Sequence, residues 1–367
     1  MKKFISLIVF ISVSFIGTIT APVMGEDLIS IRILYDNTVF SPGTKSDWGF
    51  SCLIEGTEKT ILFDTGLDGK ILLANIDSLG IDLDYTDLII ISHNHLDHTG
   101  GLKSVLGRKS QVSVYMGTSF FTDLTQTISN YGATSIKVDE PIKICKNVYS
   151  TGELQGAVNE QSLILDTDKG LVIITGCAHT GILNILKKAK EILNKNIYLV
   201  MGGFHLLESS DTVINNIIEE FTTLGVEKCG ATHCTGERAI ALFKTAYGEN
   251  FNPMGVGMVI QVPKLATSIK GSDNEKSNTP KRFILKQNYP NPLNPITTIK
   301  YSVANPCMVT IKVYDMLGNE RTILVHEEKQ PGNHDVRFDA SALPSGIYFY
   351  RMQAGSFVST KKFVLLK

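Results

Sequence analysis

Residues 92–101 read Ser92-His93-Asn94-His95-Leu96-Asp97-His98-Thr99-Gly100-Gly101 and follow residues 87–91 (DLIII), which are typical of a buried strand. A loop at the end of such a strand can direct His93 and His95 to one metal ion, and Asp97 and His98 to a second. Neutral imidazole and carboxylate are natural ligands of Zn²⁺ and similar divalent ions. Only eight histidines occur in the whole chain, so a chance cluster is improbable. The stretch predicts a metal site rather than a solvated, histidine-rich loop.

The length and composition indicate an ordinary globular protein with more than one domain. The chain has 367 residues, whereas single cores usually stop growing near ~250 residues. Hydrophobic residues make up 43% and charged residues 19%, as in soluble domains. The net charge of -1, from 35 basic and 36 acidic residues, predicts no nucleic-acid partner. Six scattered cysteines exclude a disulfide scaffold.

The N-terminus has the pattern of a signal peptide, predicted to span residues 1–25. Lys2 and Lys3 precede an apolar stretch at 4–19, and small residues before Glu26 form the cleavage site. A membrane anchor is the alternative, but the apolar stretch is shorter than the ~20 residues that a spanning helix needs. We therefore expect export and no stable membrane span.

Three further segments follow along the chain. Strands interleaved with helices at 26–263 predict an α/β domain. Residues 264–282 are polar and predict a flexible linker. Beyond them, short alternating strands at 297–303, 308–314, 334–338, 346–352 and 358–365, separated by turn residues, predict a small immunoglobulin-like β-sandwich at 283–367.

The cluster and the TGG that follows it resemble the signature of the metallo-β-lactamase superfamily. The resemblance covers roughly residues 31–262 and includes the strand and turn at 61–66, which contain Asp64. It implies a four-layer αββα sandwich for this domain. It also implies that Asp64 supports the metal loop through hydrogen bonds, with a plain turn aspartate as the alternative.

Three more histidines of this domain lie in short motifs after apolar strands. They are His179 in TGCAHTG (175–181), His205 in GGFHL (202–206) and His233 in THCTG (232–236). Active-site groups gather at strand ends in α/β layers. The three motifs are similar to a narrower branch of the superfamily that includes an archaeal dihydropterin synthase of methanopterin biosynthesis.

The resemblance implies a ligand set for one or two divalent ions. His179 joins His93 and His95 at the first ion, and His233 joins Asp97 and His98 at the second. Zn²⁺ is the expected metal, with Mn²⁺ or Fe²⁺ as alternatives. A satisfied core histidine is the alternative for either late residue.

Two residues depart from the common pattern. Many relatives have Gly-Asp, with a carboxylate that bridges the metals, where this chain has Gly176-Cys177. Cys177 is either a thiolate ligand or an inert small residue, and the inert interpretation is favoured because an exposed thiolate in an exported protein is readily oxidised. His205 matches no ligand position; it is expected to contact a phosphate or shuttle a proton, with a core histidine as the alternative.

These residues predict an exported metal-dependent hydrolase that uses metal-activated hydroxide on a small ester or phosphoester. Asp97 would orient the nucleophile or protonate the leaving group, and His205 would assist. One alternative is a dihydropterin-type transferase that displaces a diphosphate, which needs the same ligands. Another is a non-catalytic metal-binding surface protein. Hydrolysis ranks first because the pterin pathway is cytoplasmic, whereas this chain is expected to leave the cytoplasm.

The C-terminal segment resembles the sorting domain of type IX secretion substrates. The resemblance is carried by QNYPNPLNP (287–295), YDMLG (314–318) and LPSGIY (343–348), although Leu293 stands where Phe is common. It implies recognition by the type IX secretion machinery and delivery to the cell surface or the medium. An adhesion or carbohydrate-binding module is the alternative.

Overall fold

A computed structural model describes residues 28–120, 122–265, 280, 282–288 and 290–366 of the protein. The predicted signal peptide (1–25) and most of the predicted linker (264–282) lie outside the described residues. The chain divides into two compact units, whose described residues run from 28 to 265 and from 280 to 366. Within the described part of the chain, no helix has both the length and the apolar character needed to cross a membrane.

The first unit contains two β-sheets among its described residues. In chain order the strands are β1 (Leu28–Tyr35), β2 (Ser51–Glu55), β3 (Ile61–Phe63), β4 (Leu88–Ile90), β5 (Ser113–Gly117), β6 (Thr134–Val138), β7 (Ile142–Cys145), β8 (Val148–Ser150), β9 (Leu163–Thr167), β10 (Gly170–Thr175), β11 (Ile197–Gly203), β12 (Lys228–Thr232) and β13 (Val259–Pro263). One sheet has the order β13-β1-β2-β3-β4-β5-β6, and the other has the order β12-β11-β10-β9-β8-β7.

Helices connect these strands. They are α1 (Gly69–Ser78), α2 (Leu96–Thr99), α3 (Leu102–Arg108), α4 (Thr122–Asn130), α5 (Ile182–Leu193), α6 (Asp211–Thr223) and α7 (Glu237–Tyr247). The sequence predicts α1 and α5 with the same boundaries. The Asp68 side chain caps α1 by accepting from the backbone N–H groups of Lys70 and Ile71. Gly80 lies just past its end with φ of +67°, a conformation that favours glycine.

Each sheet packs one face against the other sheet and one face against helices. Leu88 and Ile90 of β4 belong to the core between the sheets, whereas Ile89 packs in a cluster with Leu72 of α1 and Leu102 of α3. The alternation follows from the two-residue period of a strand. The second sheet likewise packs its outer face against α5, α6 and α7. The predicted four-layer αββα architecture is confirmed.

The second unit is a small β-sandwich, as predicted. Its strands are β14 (Ile284–Leu285), β15 (Ile296–Val303), β16 (Cys307–Asp315), β17 (Glu320–Lys329), β18 (Gly332–Asp339), β19 (Gly346–Ala354) and β20 (Phe357–Leu365). They form a three-stranded sheet, β14-β15-β18, and a four-stranded sheet, β17-β16-β19-β20. Leu293 is 1% exposed and packs in the core of the sandwich with Tyr350 and Phe363.

The apolar pattern of the sequence does not predict β17. This strand reads ERTILVHEEK, and only Val325 within it is buried. It lies at the edge of its sheet, where few side chains face the core. Apolar alternation, the signal used to find strands, is therefore weak in its sequence.

The aromatic cluster beneath the second sheet provides a test of the packing. Phe221 of α6 is fully buried, with its ring 5.6 Å from that of Phe204 and 5.2 Å from that of Phe243. We expect Phe221→Ala to lower the free energy of unfolding by about 3–5 kcal/mol, because it leaves a cavity. Urea denaturation measures the change. Val213→Ala on the same helix is the control, since Val213 is 46% exposed, and an equal loss in both variants would contradict the packing described.

Candidate metal centre

The histidines of the first unit lie at the carboxyl ends of parallel strands. His93 follows β4, which pairs in parallel with β3 and β5. His179, His205 and His233 follow β10, β11 and β12, which are parallel to one another. The carboxyl ends of parallel strands meet at one edge of a sheet, so residues far apart in sequence arrive together.

One group of ligand atoms comes from His93, His95 and His179. Their ring nitrogens lie within 4.8 Å of one another. The ring centroids are 4.8 Å apart for His93 and His95, 4.8 Å for His93 and His179, and 4.7 Å for His95 and His179. The structure thus brings together the three histidines that the sequence assigns to a first ion.

A second group consists of Asp97, His98, His233 and Cys177, again within 4.8 Å of one another. An Asp97 carboxylate oxygen lies 3.1 Å from His233 Nε2 and 3.6 Å from His98 Nε2. The sulfur of Cys177 lies 3.2 Å from His98 Nε2. Three of these residues are those that the sequence assigns to a second ion. The fourth is Cys177, for which the sequence favours an inert role; its sulfur nevertheless lies among the ligand atoms of the other three residues.

Asp64 connects the two groups through the hydrogen bonds expected of it. Its fully buried carboxylate accepts from the backbone N–H and the hydroxyl of Ser92, both at 2.7 Å. It also lies 2.7 Å from His98 Nδ1, and Ser92 Oγ lies 2.9 Å from His93 Nδ1. Burial disfavours a charged imidazole, but the Asp64 carboxylate outweighs it and raises the pKa of His98 to about 9.

These contacts determine which ring nitrogen carries the proton. With its Nδ1 held by Asp64 and its pKa near 9, His98 offers an Nε2 lone pair only when a metal ion displaces the proton there. A neutral His93, with Nδ1 donating to Ser92, keeps a free lone pair on Nε2. His233 follows the same rule, since its Nδ1 lies 3.1 Å from the Asn37 side-chain oxygen. The Nε2 atoms of His93 and His179 are buried and have no hydrogen-bond partner, and that of His233 makes no aligned hydrogen bond although the Asp97 carboxylate lies 3.1 Å away. Buried unpaired acceptors are costly, and a cation would satisfy them, so the donor set fits divalent metal ions.

Glu160 is a residue of this site that the sequence does not mark. It is 1% exposed, and its carboxylate accepts from the backbone N–H groups of four consecutive residues, 176–179, at 2.8–3.1 Å. Burial raises the pKa of Glu160, and these hydrogen bonds oppose the shift. The contacts hold the loop that carries Cys177 and His179. Glu160 lies within a polar segment and has no partner motif near it in sequence, so no pattern marks it.

Backbone strain is concentrated at this site. Among the described non-glycine residues, few have positive φ, and four of them surround the cluster: Asp64 at 54°, Ala178 at 62°, His205 at 53° and His233 at 53°. Such conformations are unfavourable for residues with a Cβ and persist where surrounding contacts impose them. Each marks a sharp turn from a strand end into the site.

His205 and Trp48 line the open side of the cluster. His205 is exposed, and its ring centroid lies 4.2 Å from that of His179. A hydrogen bond with the Cys234 thiol raises the pKa of His205. Trp48 is 43% exposed, with its ring 4.8 Å from that of His233. His205 is therefore a solvent-exposed side chain beside the cluster, not a core histidine.

Two segments of the chain match known families. Residues 49–187 match the metallo-beta-lactamase superfamily, and residues 287–366 match the secretion system C-terminal sorting domain. A solved structure described as a metal-dependent hydrolase of the beta-lactamase superfamily has 32% identity and a TM-score of 0.55, and the match covers 64% of this chain and 100% of that one.

Two archaeal relatives, both from Methanocaldococcus jannaschii, are similar over nearly their whole length. One is named 7,8-dihydropterin-6-methyl-4-(beta-D-ribofuranosyl)-aminobenzene-5'-phosphate synthase; it is 31% identical over 265 residues, covering 59% of this chain and 90% of the relative. The other is an uncharacterized protein, 30% identical over 266 residues, covering 63% of this chain and 100% of the relative.

The αββα fold, the convergent histidines and these similarities agree. The chain belongs to the metallo-β-lactamase superfamily, in the branch that contains the archaeal dihydropterin synthase, and it carries a type IX secretion C-terminal sorting domain.

Proposed function

We propose that the protein is an exported metal-dependent hydrolase that cleaves a small ester or phosphoester. His93, His95 and His179 would hold one divalent ion, and Asp97, His98 and His233 a second, with Zn²⁺ as the preferred metal. The observation that carries the proposal is the convergence of these side chains in two compact groups, in which the Nε2 atoms of His93 and His179 are buried and unpartnered.

Divalent ions at these positions would supply Lewis-acid chemistry, lowering the pKa of water toward ~7 and stabilising negative charge on a reacting oxygen. The chain's own side chains would provide the rest. Asp97 is partly exposed and can orient the attacking water or return a proton to the leaving group. His205, exposed beside His179, can donate an N–H to a phosphate or carbonyl oxygen of the substrate.

The sorting domain supports the location. A C-terminal segment that matches the secretion system sorting family indicates passage through the type IX machinery to the cell surface or the medium. A signal peptide at 1–25 would supply the first step, across the inner membrane. We propose that residues 26–263 form the catalytic domain, 264–282 the linker and 283–367 the sorting domain.

A dihydropterin-type transferase is the second candidate, favoured by the 31% identity to the archaeal synthase. The same ligands would hold a diphosphate leaving group while a nucleophile displaces it. Reaction in ¹⁸O-labelled water separates the candidates, because hydrolysis incorporates the label into the product. Transfer leaves the product unlabelled and requires an acceptor substrate.

Removing one ligand of the first group tests the metal-dependent mechanism. We expect His95→Ala, in the full chain, to lose bound metal and any hydrolysis that the wild-type protein shows on a panel of phosphoesters, esters and lactones. Metal is measured by elemental analysis, and chelation of the wild-type protein should abolish the same activities. His326→Ala is the control, since His326 is an exposed residue of the sorting domain. Undiminished activity in His95→Ala would place the active site elsewhere, and metal uptake without turnover would support a non-catalytic binding protein.

Asp64 provides a separate test of the supporting hydrogen bonds. We expect Asp64→Asn to weaken metal binding by roughly 10–100-fold, because His98 and Ser92 lose the carboxylate that orients them. Chelator competition measures the affinity. The control is Asp166→Asn, because Asp166 is also a buried aspartate, 6% exposed, and pairs with Lys195 at 2.6 Å. Asp166 lies on β9 opposite Leu171, which is at the end of β10 away from the cluster. Equal affinities in wild-type and Asp64→Asn proteins would mean that Asp64 is only structural.

A further inference from the structure

We propose that the thiolate of Cys177 is the fourth protein ligand of the second ion, which makes this position a His₂-Asp-Cys site selective for thiophilic ions. The inference rests on the proposed function in one respect, that the second group binds an ion at all. It extends that proposal by assigning Cys177 a role and by predicting which metals the site prefers.

The spacing of the donor atoms fits one tetrahedral ion. Zn–N and Zn–S bonds of about 2.0 and 2.3 Å imply a nitrogen–sulfur separation of roughly 3.5 Å around a tetrahedral centre. The Cys177 sulfur lies 3.2 Å from His98 Nε2, and the Asp97 carboxylate lies 3.1 Å from His233 Nε2. All four donor atoms fall within 4.8 Å of one another. The group is therefore compact enough to close on an ion with small movements.

An independent observation indicates that this group takes a cation. His233 is 2% exposed, and its Nε2 atom makes no aligned hydrogen bond, although the Asp97 carboxylate lies 3.1 Å away. Asn37 lies on the other ring nitrogen at 3.1 Å, so the free atom presents a lone pair. The Asp97 carboxylate lies 3.1 Å from this atom and 3.6 Å from His98 Nε2, so the side chains that bind divalent ions face one another in this group.

The position of Cys177 is imposed by its surroundings. The residue is 2% exposed, and its backbone N–H donates to Glu160 at 2.8 Å, as do those of its neighbours. The preceding Gly176 admits no side chain, because a Cβ there would lie 2.1 Å from Ser92 Oγ. The loop thus holds the sulfur against His98. Burial also protects the thiol from the oxidation that favoured the inert interpretation.

The ligand type sets the metal preference. Thiolate ligands select thiophilic ions such as Zn²⁺ over Mn²⁺ and Mg²⁺, which prefer oxygen ligands. As the metal–sulfur bond forms, the thiol proton leaves to solvent. The sulfur belongs to the second group and not to the group of His93, His95 and His179. The two positions are therefore expected to differ in metal selectivity.

The test uses the full chain, freed of metal by chelation and then titrated with Co²⁺. Thiolate coordination to Co²⁺ produces a near-ultraviolet charge-transfer absorption that nitrogen and oxygen ligands do not produce. The matched control is Cys234→Ser, because Cys234 is 5% exposed, lies beside Cys177 with its thiol 3.4 Å from the Cys177 carbonyl oxygen, and is outside the ligand group.

We expect the absorption in the wild-type protein and in Cys234→Ser, and its loss in Cys177→Ser together with at least roughly tenfold weaker binding of the second ion. If Cys177→Ser fails to fold, the wild-type and Cys234→Ser spectra still show whether a thiolate other than that of Cys234 binds the ion. Binding of two cobalt ions per chain without the absorption, or persistence of the absorption in Cys177→Ser, would overturn the inference while leaving the hydrolase proposal intact. The absorption without turnover on the substrate panel would support the ligand and contradict the hydrolase proposal.

Discussion

The buried carboxylate of Asp64 is the constraint on which the site depends. It is fully buried, at the end of β3, and it holds the end of β4 through Ser92 and the short helix α2 through His98. Thr65 reinforces this junction, since its backbone N–H and hydroxyl both donate to the carbonyl of His98. A charge without solvent is tolerable only when it is hydrogen-bonded on several sides. The same bonds that satisfy Asp64 orient the ligand histidines.

The electrostatics of the cluster follow from packing imidazoles together without solvent. Burial lowers the pKa of His93, and burial with the nearby His205 and His95 lowers the pKa of His179 to about 3. These rings are therefore neutral, which is the protonation state that metal binding requires. Burial raises the pKa of Asp36 to about 6, although the hydrogen bonds from Thr232 and Asn37 lower it. The cluster combines neutral acceptors with carboxylates, the donor set that a divalent cation completes.

The two units of the chain have separate physical tasks. The αββα unit buries both faces of its sheets and places side chains at strand ends. The β-sandwich unit has its own core around Tyr350 and Phe363 and matches a sorting family rather than a catalytic one. The chain thus joins a metallo-β-lactamase-fold domain to a sorting domain, each with its own core.

The sequence by itself determined the fold class and most of the candidate ligands. The histidines and Asp97 lie in short motifs after apolar strands, and both strand periodicity and motif spacing are local properties that can be read along the chain. Only the tertiary structure decided the contacts among distant segments. Glu160 acts on a loop sixteen or more residues away, Asn37 meets His233 across 196 residues, and the sulfur of Cys177 faces His98 across 79. No local pattern records such pairings, because they are set by which strand ends the two sheets bring to a common edge.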